Sequence, residues 1–317
     1  MRVFDGARAV PAHFGPSAVS IGKFDGVHLG HRAVIERLQR IAEAEGLRRV
    51  AVTFDRNPLA LLAPEKCPEQ LMSTRQKLEL LATTGLDATL VLRFDRELAS
   101  VPAEEFVERV LVETLGARAV LVGEDFRFGA RGAGDVRLLE RMGAEHGFTV
   151  EVVAEVRPGD ERRVSSTWVR ELLAAGDVAK AGELLGHVPT VSGLVVHGAA
   201  RGRELGFPTA NLSPDSEGLI PADGVYAGWL TDAGVRYPAA ISVGNNPTFE
   251  GVPQKQVEAY VIDRELDLYD HAVDVEFVER IRGMVAFEGI ERLVEQIADD
   301  VARARSILGA GDVGART

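Results

Sequence analysis

The chain has 317 residues, enough for two ordinary domains or one large one. Its 36 Lys and Arg against 48 Asp and Glu leave a formal net charge of −12, which argues against wrapping nucleic acid or coating an anionic membrane. Hydrophobic residues at 46% allow a sizeable core, and a single cysteine, Cys67, excludes an intramolecular disulfide and a Cys-rich metal site. No apolar run approaches the ~20 residues that span a bilayer, and residues 1–15 lack the apolar centre of a signal peptide. The expectation is a cytoplasmic protein.

In chain order, Ala18–Gly22 reads as a strand, followed by a glycine-containing turn and a helix from His31 to Glu45. In that helix Val34, Leu38, Ile41 and Ala42 have the spacing of a buried face, and Gly46 stands where a C-terminal cap belongs. Arg49–Phe54 is the next strand, and Ser73 caps a helix running to Thr84. Ala88–Phe94, Arg118–Gly123 and Thr149–Val156 complete five strands, alternating with helices over Pro102–Leu115 and Val136–His146. This alternation predicts an α/β fold with a parallel sheet covered on both faces, in which ligands bind beyond the carboxyl ends of the strands. From Gly186 onward the helical period disappears. Short strands are expected at Thr190–His197, Gly224–Thr231, Val235–Val243, Gln256–Ile262 and Val273–Ile281, as in an antiparallel barrel or sandwich. A helix over Gly289–Leu308, striped by Leu293, Ile297, Val301 and Ile307, precedes a tail expected to be disordered. The boundary between domains falls between Asp177 and Thr190, giving domains 1–185 and 186–317.

Three segments of the first half sit at strand ends. The stretch from Gly22 to His31 (GKFDGVHLGH) joins the first strand to the first helix. His28 and His31 are three residues apart and can face the same way, Gly26 and Gly30 allow close backbone approach, and the helix N-terminus favours an anion. Imidazoles there can donate hydrogen bonds to phosphoryl oxygens, although a glycine-rich turn with two surface histidines has the same pattern. Gly123 to Gly129 (GEDFRFG) leaves the fourth of the expected strands, and its Asp125 suits a ribose, a base, a metal ion or a simple turn. Val164 to Arg170 (VSSTWVR) puts Ser165, Ser166 and Thr167 at a helix start and Arg170 one turn on, where a guanidinium can clamp a phosphate.

In the second half, the segment from His197 to Asn211 (HGAARGRELGFPTAN) has a glycine loop followed by Thr209 and Asn211, which point to one side of an extended strand. Their oxygens are hard ligands suited to Mg²⁺ on a nucleotide. Glu258 alternates with Val257 and Ala259, so it shares a face with Tyr260; such a carboxylate can act as a general base or be simply solvated.

Taken together, GKFDGVHLGH, VGEDFRFG and VSSTWVR, then GRELGFPTANL, PADGVYAGW, SVGNNPTF, VEAYVID and DLYD, resemble the bacterial bifunctional riboflavin kinase/FAD synthetase family over about Ser17 to Leu308. The resemblance implies a Rossmann-like nucleotidyltransferase domain that transfers AMP from ATP to FMN, and a C-terminal antiparallel β-barrel kinase domain with a terminal helix that phosphorylates riboflavin using Mg²⁺ and ATP. Carried over residue by residue, it implies catalytic roles for His28, His31, Arg170 and Glu258, and metal ligation by Thr209 and Asn211. It implies nucleotide binding by Gly22, Phe24, Asp25, Gly30, Asn57, Gly123, Asp125, Ser165, Ser166 and Thr167, and by Gly198, Arg203, Gly206 and Pro208, with Arg282 and Phe128 near the flavin. Two positions depart from the family pattern. Asp55-Arg56-Asn57-Pro58 replaces an acidic residue followed by Pro-His-Pro, so Asn57 cannot carry a positive charge; Asp270 stands where Gly follows Asp-Leu-Tyr. The partners expected are riboflavin, FMN and ATP, with weak self-association left open. A kinase-only chain and a non-catalytic flavin-binding regulator are the alternatives.

Overall fold

In the computed structural model the described residues are 1–159, 162–198, 202, 205–245, 255–285, 287 and 289–309. They form two compact units, Met1–Ser166 and Thr167–Thr317.

The first unit is built on six parallel strands: β1 (Arg2–Asp5), β2 (Ser17–Ile21), β3 (Arg48–Phe54), β4 (Ala88–Leu92), β5 (Ala117–Gly123) and β6 (Thr149–Val153), in the order β1-β4-β3-β2-β5-β6. Five of them match the expected strands to within a few residues. The sixth, β1, is an edge strand pairing Arg2–Asp5 with Ala88–Val91, and only its Phe4 is buried, so it has no hydrophobic period to read. The central strands β2 and β4 are buried throughout, as a parallel sheet covered on both faces requires. One face packs Phe4, Leu90, Phe106, Leu111 and Leu139; the other packs Ile35, Leu38, Ala42, Leu81 and Leu121. From β2 the chain builds outward through β3 and β4, then returns to place β5 on the opposite side of β2. That reversal opens a crevice at the carboxyl ends of β2 and β5, the usual ligand position in such sheets.

Helix α1 (Leu29–Glu45) starts two residues earlier than expected because His28 caps it, and Gly46 closes it at φ 66°. Ile35 replaces Val34 and Ile41 in its fully buried stripe, the latter two being only partly buried. Helix α2 (Thr74–Ala82) has Ser73 and Gln76 in a reciprocal capping box. The expected uniform helix over Pro102–Leu115 is instead an α-helical turn, Ala103–Phe106, running into a π-helical stretch, Val107–Thr114. Its wider i→i−5 pairing shows at the end, where Leu115 N donates to Val110 O.

The second unit opens with helices α3 (Ser166–Ala175), whose first residue lies in the first unit, and α4 (Val178–Leu185). The remaining strands are β7 (Thr190–Val196), β8 (Thr209–Leu212), β9 (Gly224–Asp232), β10 (Val235–Asn245), β11 (Lys255–Val261) and β12 (Ala272–Arg282). They close into an antiparallel barrel in the order β10-β11-β8-β7-β12-β9, with β9 paired back to β10, so the barrel alternative is the one adopted. The terminal helix α5 (Ile290–Ile307) packs Val301 and Ala304 against Val225, Ala227, Ala240 and Ile281. Helix α3 is tied to the barrel: Ala222 N donates to Leu173 O, and Arg280 donates to Ala175 O. Residues 310–317, expected to be a disordered tail, lie outside the described residues.

Candidate active sites

At the carboxyl end of β2 the backbone bends sharply. Phe24 and Val27 adopt φ of 49° and 40°, a region that side chains rarely enter and a β-branched residue least of all. Both are almost fully buried, and this packing holds the loop in its strained form. The bend brings His28 to the N-cap of α1, where its Nδ1 accepts the His31 amide at 3.4 Å. When neutral, His28 therefore carries its proton on Nε2. The two imidazoles stack at 3.7 Å between centroids, and Gly30 packs closely beside them: a Cβ there would lie 3.1 Å from the His28 ring, which would have to shift slightly. Burial, with His28, Lys23 and Lys77 nearby, holds His31 well below the usual imidazole range, so its ring is neutral. Its Nδ1 is sealed from solvent and has no hydrogen-bond partner, an atom left over by the fold. Asp25 Oδ1 accepts the Leu71 amide, and Asp25 O accepts the Ser166 hydroxyl at 2.8 Å, so the loop is fastened on two sides.

The other predicted residues of this unit are spread around the sheet end. Gly22 packs under the Phe24 ring. Asn57 is buried and its Oδ1 accepts the Leu59 amide, starting the short helix Leu59–Leu62. Ahead of it, Asp55 Oδ1 accepts the Phe94 amide, and the Asp55 carbonyl accepts the Thr74 hydroxyl. Beyond Gly123, Asp125 is exposed and ion-paired with Arg163 at 3.1 Å, which also binds Glu155. Phe128 lies in the core against Phe106 and Phe126; of the stacked pair Phe126/Phe128, Phe126 has the more open ring. Ser165 and Ser166 lead into α3, with Thr167 exposed and Arg170 half-buried one turn on.

In the barrel unit, pairing of β8 with β11 sets Asn211 opposite Glu258 and Thr209 opposite Tyr260, so all four share one face. Thr209 Oγ1 donates to Glu258 Oε2 at 3.5 Å, and Asn211 Nδ2 lies 3.2 Å from Thr209 O. Gly198 closes over them: a Cβ there would come within 2.6 Å of the Asn211 side chain. Gly206 takes φ 84°, and Pro208 leads directly into β8. Arg203 lies outside the described residues. Arg282 donates from Nε and Nη2 to Asp300 of α5, and from Nη1 to Gly283 O. Asp270 sits at φ 62°, the conformation that glycine tolerates best and Asp better than most, which is how the chain makes that turn without glycine.

The FAD synthetase family model matches residues 10–168, and the riboflavin kinase family model matches residues 185–308. The Escherichia coli K12 bifunctional riboflavin kinase/FMN adenylyltransferase is 40% identical over 92% of each chain. The chain belongs to this family. A Pseudomonas fluorescens relative of the same name is 38% identical over 94% of each chain. A Streptococcus pneumoniae crystal structure described as a macrolide-efflux protein superposes with a TM-score of 0.85 at 29% identity, over 96% of this chain and 99% of that one. No helix among the described residues is long and apolar enough to cross a membrane.

Within this family framework the fold gathers His28, His31, Gly30 and Asp25 at the end of β2, and Thr209, Asn211, Gly198 and Glu258 on one barrel face. It gives Arg282 and Phe128 packing partners of their own. Sequence reading missed Lys77, whose ammonium lies buried at the ends of β2 and β3. The available signal was its place on α2 one turn before the buried Leu81. It also missed Asp300, four residues after Gln296 on an apolar-striped helix.

Proposed function

We propose that this chain phosphorylates riboflavin to FMN in its C-terminal unit and adenylylates FMN to FAD in its N-terminal unit, consuming ATP in both steps. The observation that carries the reading is the coincidence of two family matches, at 10–168 and 185–308, with two units that each hold a matching constellation. The start of the riboflavin kinase match at residue 185 supports a functional division near 185/186, while the compact units divide at 166/167 with α3 tied to the barrel.

In the kinase, Glu258 takes the proton of the riboflavin 5′-hydroxyl as that oxygen attacks the γ-phosphorus of ATP and ADP leaves. Mg²⁺ fits the donors present: Thr209 and Asn211 offer two neutral oxygens, the sparse protein share that this ion takes when phosphates supply the rest. When bound, it would neutralise phosphate charge. Among the described residues no trio of His, Cys, Asp and Glu is placed to hold a metal instead. Gly198 and Pro208 border the nucleotide.

In the adenylyltransferase, an FMN phosphate oxygen attacks the α-phosphorus of ATP, and the bond to the leaving pyrophosphate breaks. His28 and neutral His31 donate hydrogen bonds to the phosphoryl oxygens as charge builds. The N-terminus of α1 offers amides to the phosphates, and the family resemblance of the VSSTWVR segment assigns phosphate contacts to Ser165, Ser166, Thr167 and Arg170. Asp125 holds the nucleoside end once it exchanges Arg163 for ligand. We place the protein in the cytoplasm, without nucleic-acid or membrane partners.

Single variants test the partition. Glu258→Ala is expected to abolish FMN formation from riboflavin and leave FAD formation from added FMN. His28→Ala is expected to do the reverse. Loss of both activities in either variant contradicts the division of labour.

A further inference from the structure

Lys77 is only 8% exposed, yet it carries an ammonium to the inner end of the sheet. Its Nζ donates to Phe54 O at 2.8 Å, to Thr53 Oγ1 at 3.2 Å and to Lys23 O at 3.4 Å. Thr53 is itself fully buried, and its hydroxyl donates to the same Lys23 carbonyl. One side chain on α2 thus fastens the end of β3 to the residue that enters the strained Phe24–Val27 bend. That bend delivers His28 and His31.

A methionine of similar length would fill this space without the cost of burying a charge, so a packing role alone does not explain the ammonium. Desolvation brings Lys77 down to about 8, against the pull of Asp25 and Asp55, the acidic groups that face it. On the other side, Lys77, Lys23 and His28 all act to keep His31 uncharged.

We propose that Lys77 is a positioning residue for adenylyl transfer, a buried cation that holds the phosphate loop in the conformation presenting His28 and His31. The inference deepens the adenylyltransferase reading and rests on it.

The test uses the full chain, with FMN and Mg·ATP as substrates. Lys77→Met is expected to lower kcat for FAD formation at least ~10-fold at pH 7, with KM for ATP and FMN within ~3-fold and riboflavin phosphorylation within ~2-fold. Wild-type activity is expected to fall as pH rises through about 8, where the ammonium loses its proton. Lys77→Arg, which stays charged, is expected to keep its normalised activity to higher pH. Should Lys77→Met fail to fold, as judged by hydrogen exchange in α1, Thr53→Val decides instead. It removes the shared hydroxyl and leaves the charge, and an adenylyltransferase loss of at least ~3-fold is expected. A fully active Lys77→Met or Thr53→Val, or superimposable pH profiles for wild type and Lys77→Arg, overturns the inference alone. A wild-type chain that makes no FAD from FMN overturns the functional reading, and this inference with it.

Discussion

The Arg282–Asp300 pair lends itself to a quantitative prediction, because its two possible roles separate cleanly. Asp300 is 4% exposed and accepts from Arg282 Nε at 3.0 Å, Arg282 Nη2 at 2.7 Å and Gln296 Nε2 at 3.0 Å. Asp300→Ala leaves a largely buried guanidinium and an amide without their acceptor, a loss of about 3–5 kcal/mol for a broken buried pair. For a unit of roughly 150 residues (167–317), each kcal/mol moves Tm by about 2–4 °C, so the melt should fall by about 6–20 °C. Both tryptophans, Trp168 and Trp229, belong to this unit, so intrinsic fluorescence follows its unfolding. Arg282→Met should cost a similar amount, and the double variant should cost about 2–3 kcal/mol less than the sum of the two. Additivity within ~0.5 kcal/mol would refute a joint structural role. A stable Arg282→Met that no longer binds riboflavin would show instead that Arg282 serves the flavin first.

Gly198→Ala places a Cβ where the Asn211 side chain now lies, and the amide end has to move. KM for Mg·ATP in riboflavin phosphorylation is expected to rise about tenfold, equivalent to ~1.4 kcal/mol, while FAD formation from FMN stays constant; unchanged KM would remove Asn211 from the nucleotide site. Asp270→Gly relieves a left-handed backbone worth about 1–2 kcal/mol but adds chain entropy of about 0.5–1 kcal/mol, so stability measured by urea titration should shift by less than ~1.5 kcal/mol, toward the variant. A loss above ~1.5 kcal/mol would show that the carboxylate makes a contact the backbone argument ignores.

Features set by local chemistry were legible in the sequence. The capping serine at Ser73, the glycine at Gly46 and the alternation through β8 and β11 each follow from neighbouring residues, and the structure has them. The strand pattern left barrel and sandwich open, and the gathering of Thr209, Asn211 and Glu258, which depends on strand pairing across nearly fifty residues, was anticipated only by family resemblance. What escaped had no local signature. Strand β1 buries one side chain, and the π-helical turn shares its apolar spacing with an ordinary helix. A lysine on a helix normally reads as solvated, so Lys77 needed its three acceptors to be seen. Arg282 was placed near the flavin by family resemblance alone, and its bond to Asp300 of α5 had no signature in its own segment. The contacts of Phe128 with Phe106 and Phe126 were likewise not readable from its own segment.

The central claim is that one chain performs two successive transfers to a flavin. The direct measurement is a time course of the full chain with riboflavin, Mg²⁺ and ATP, with FMN and FAD resolved by chromatography. FMN is expected to appear first, then FAD, with ADP formed in the first step and pyrophosphate in the second. FMN accumulating with no FAD, or riboflavin remaining unchanged while bound, would contradict the account.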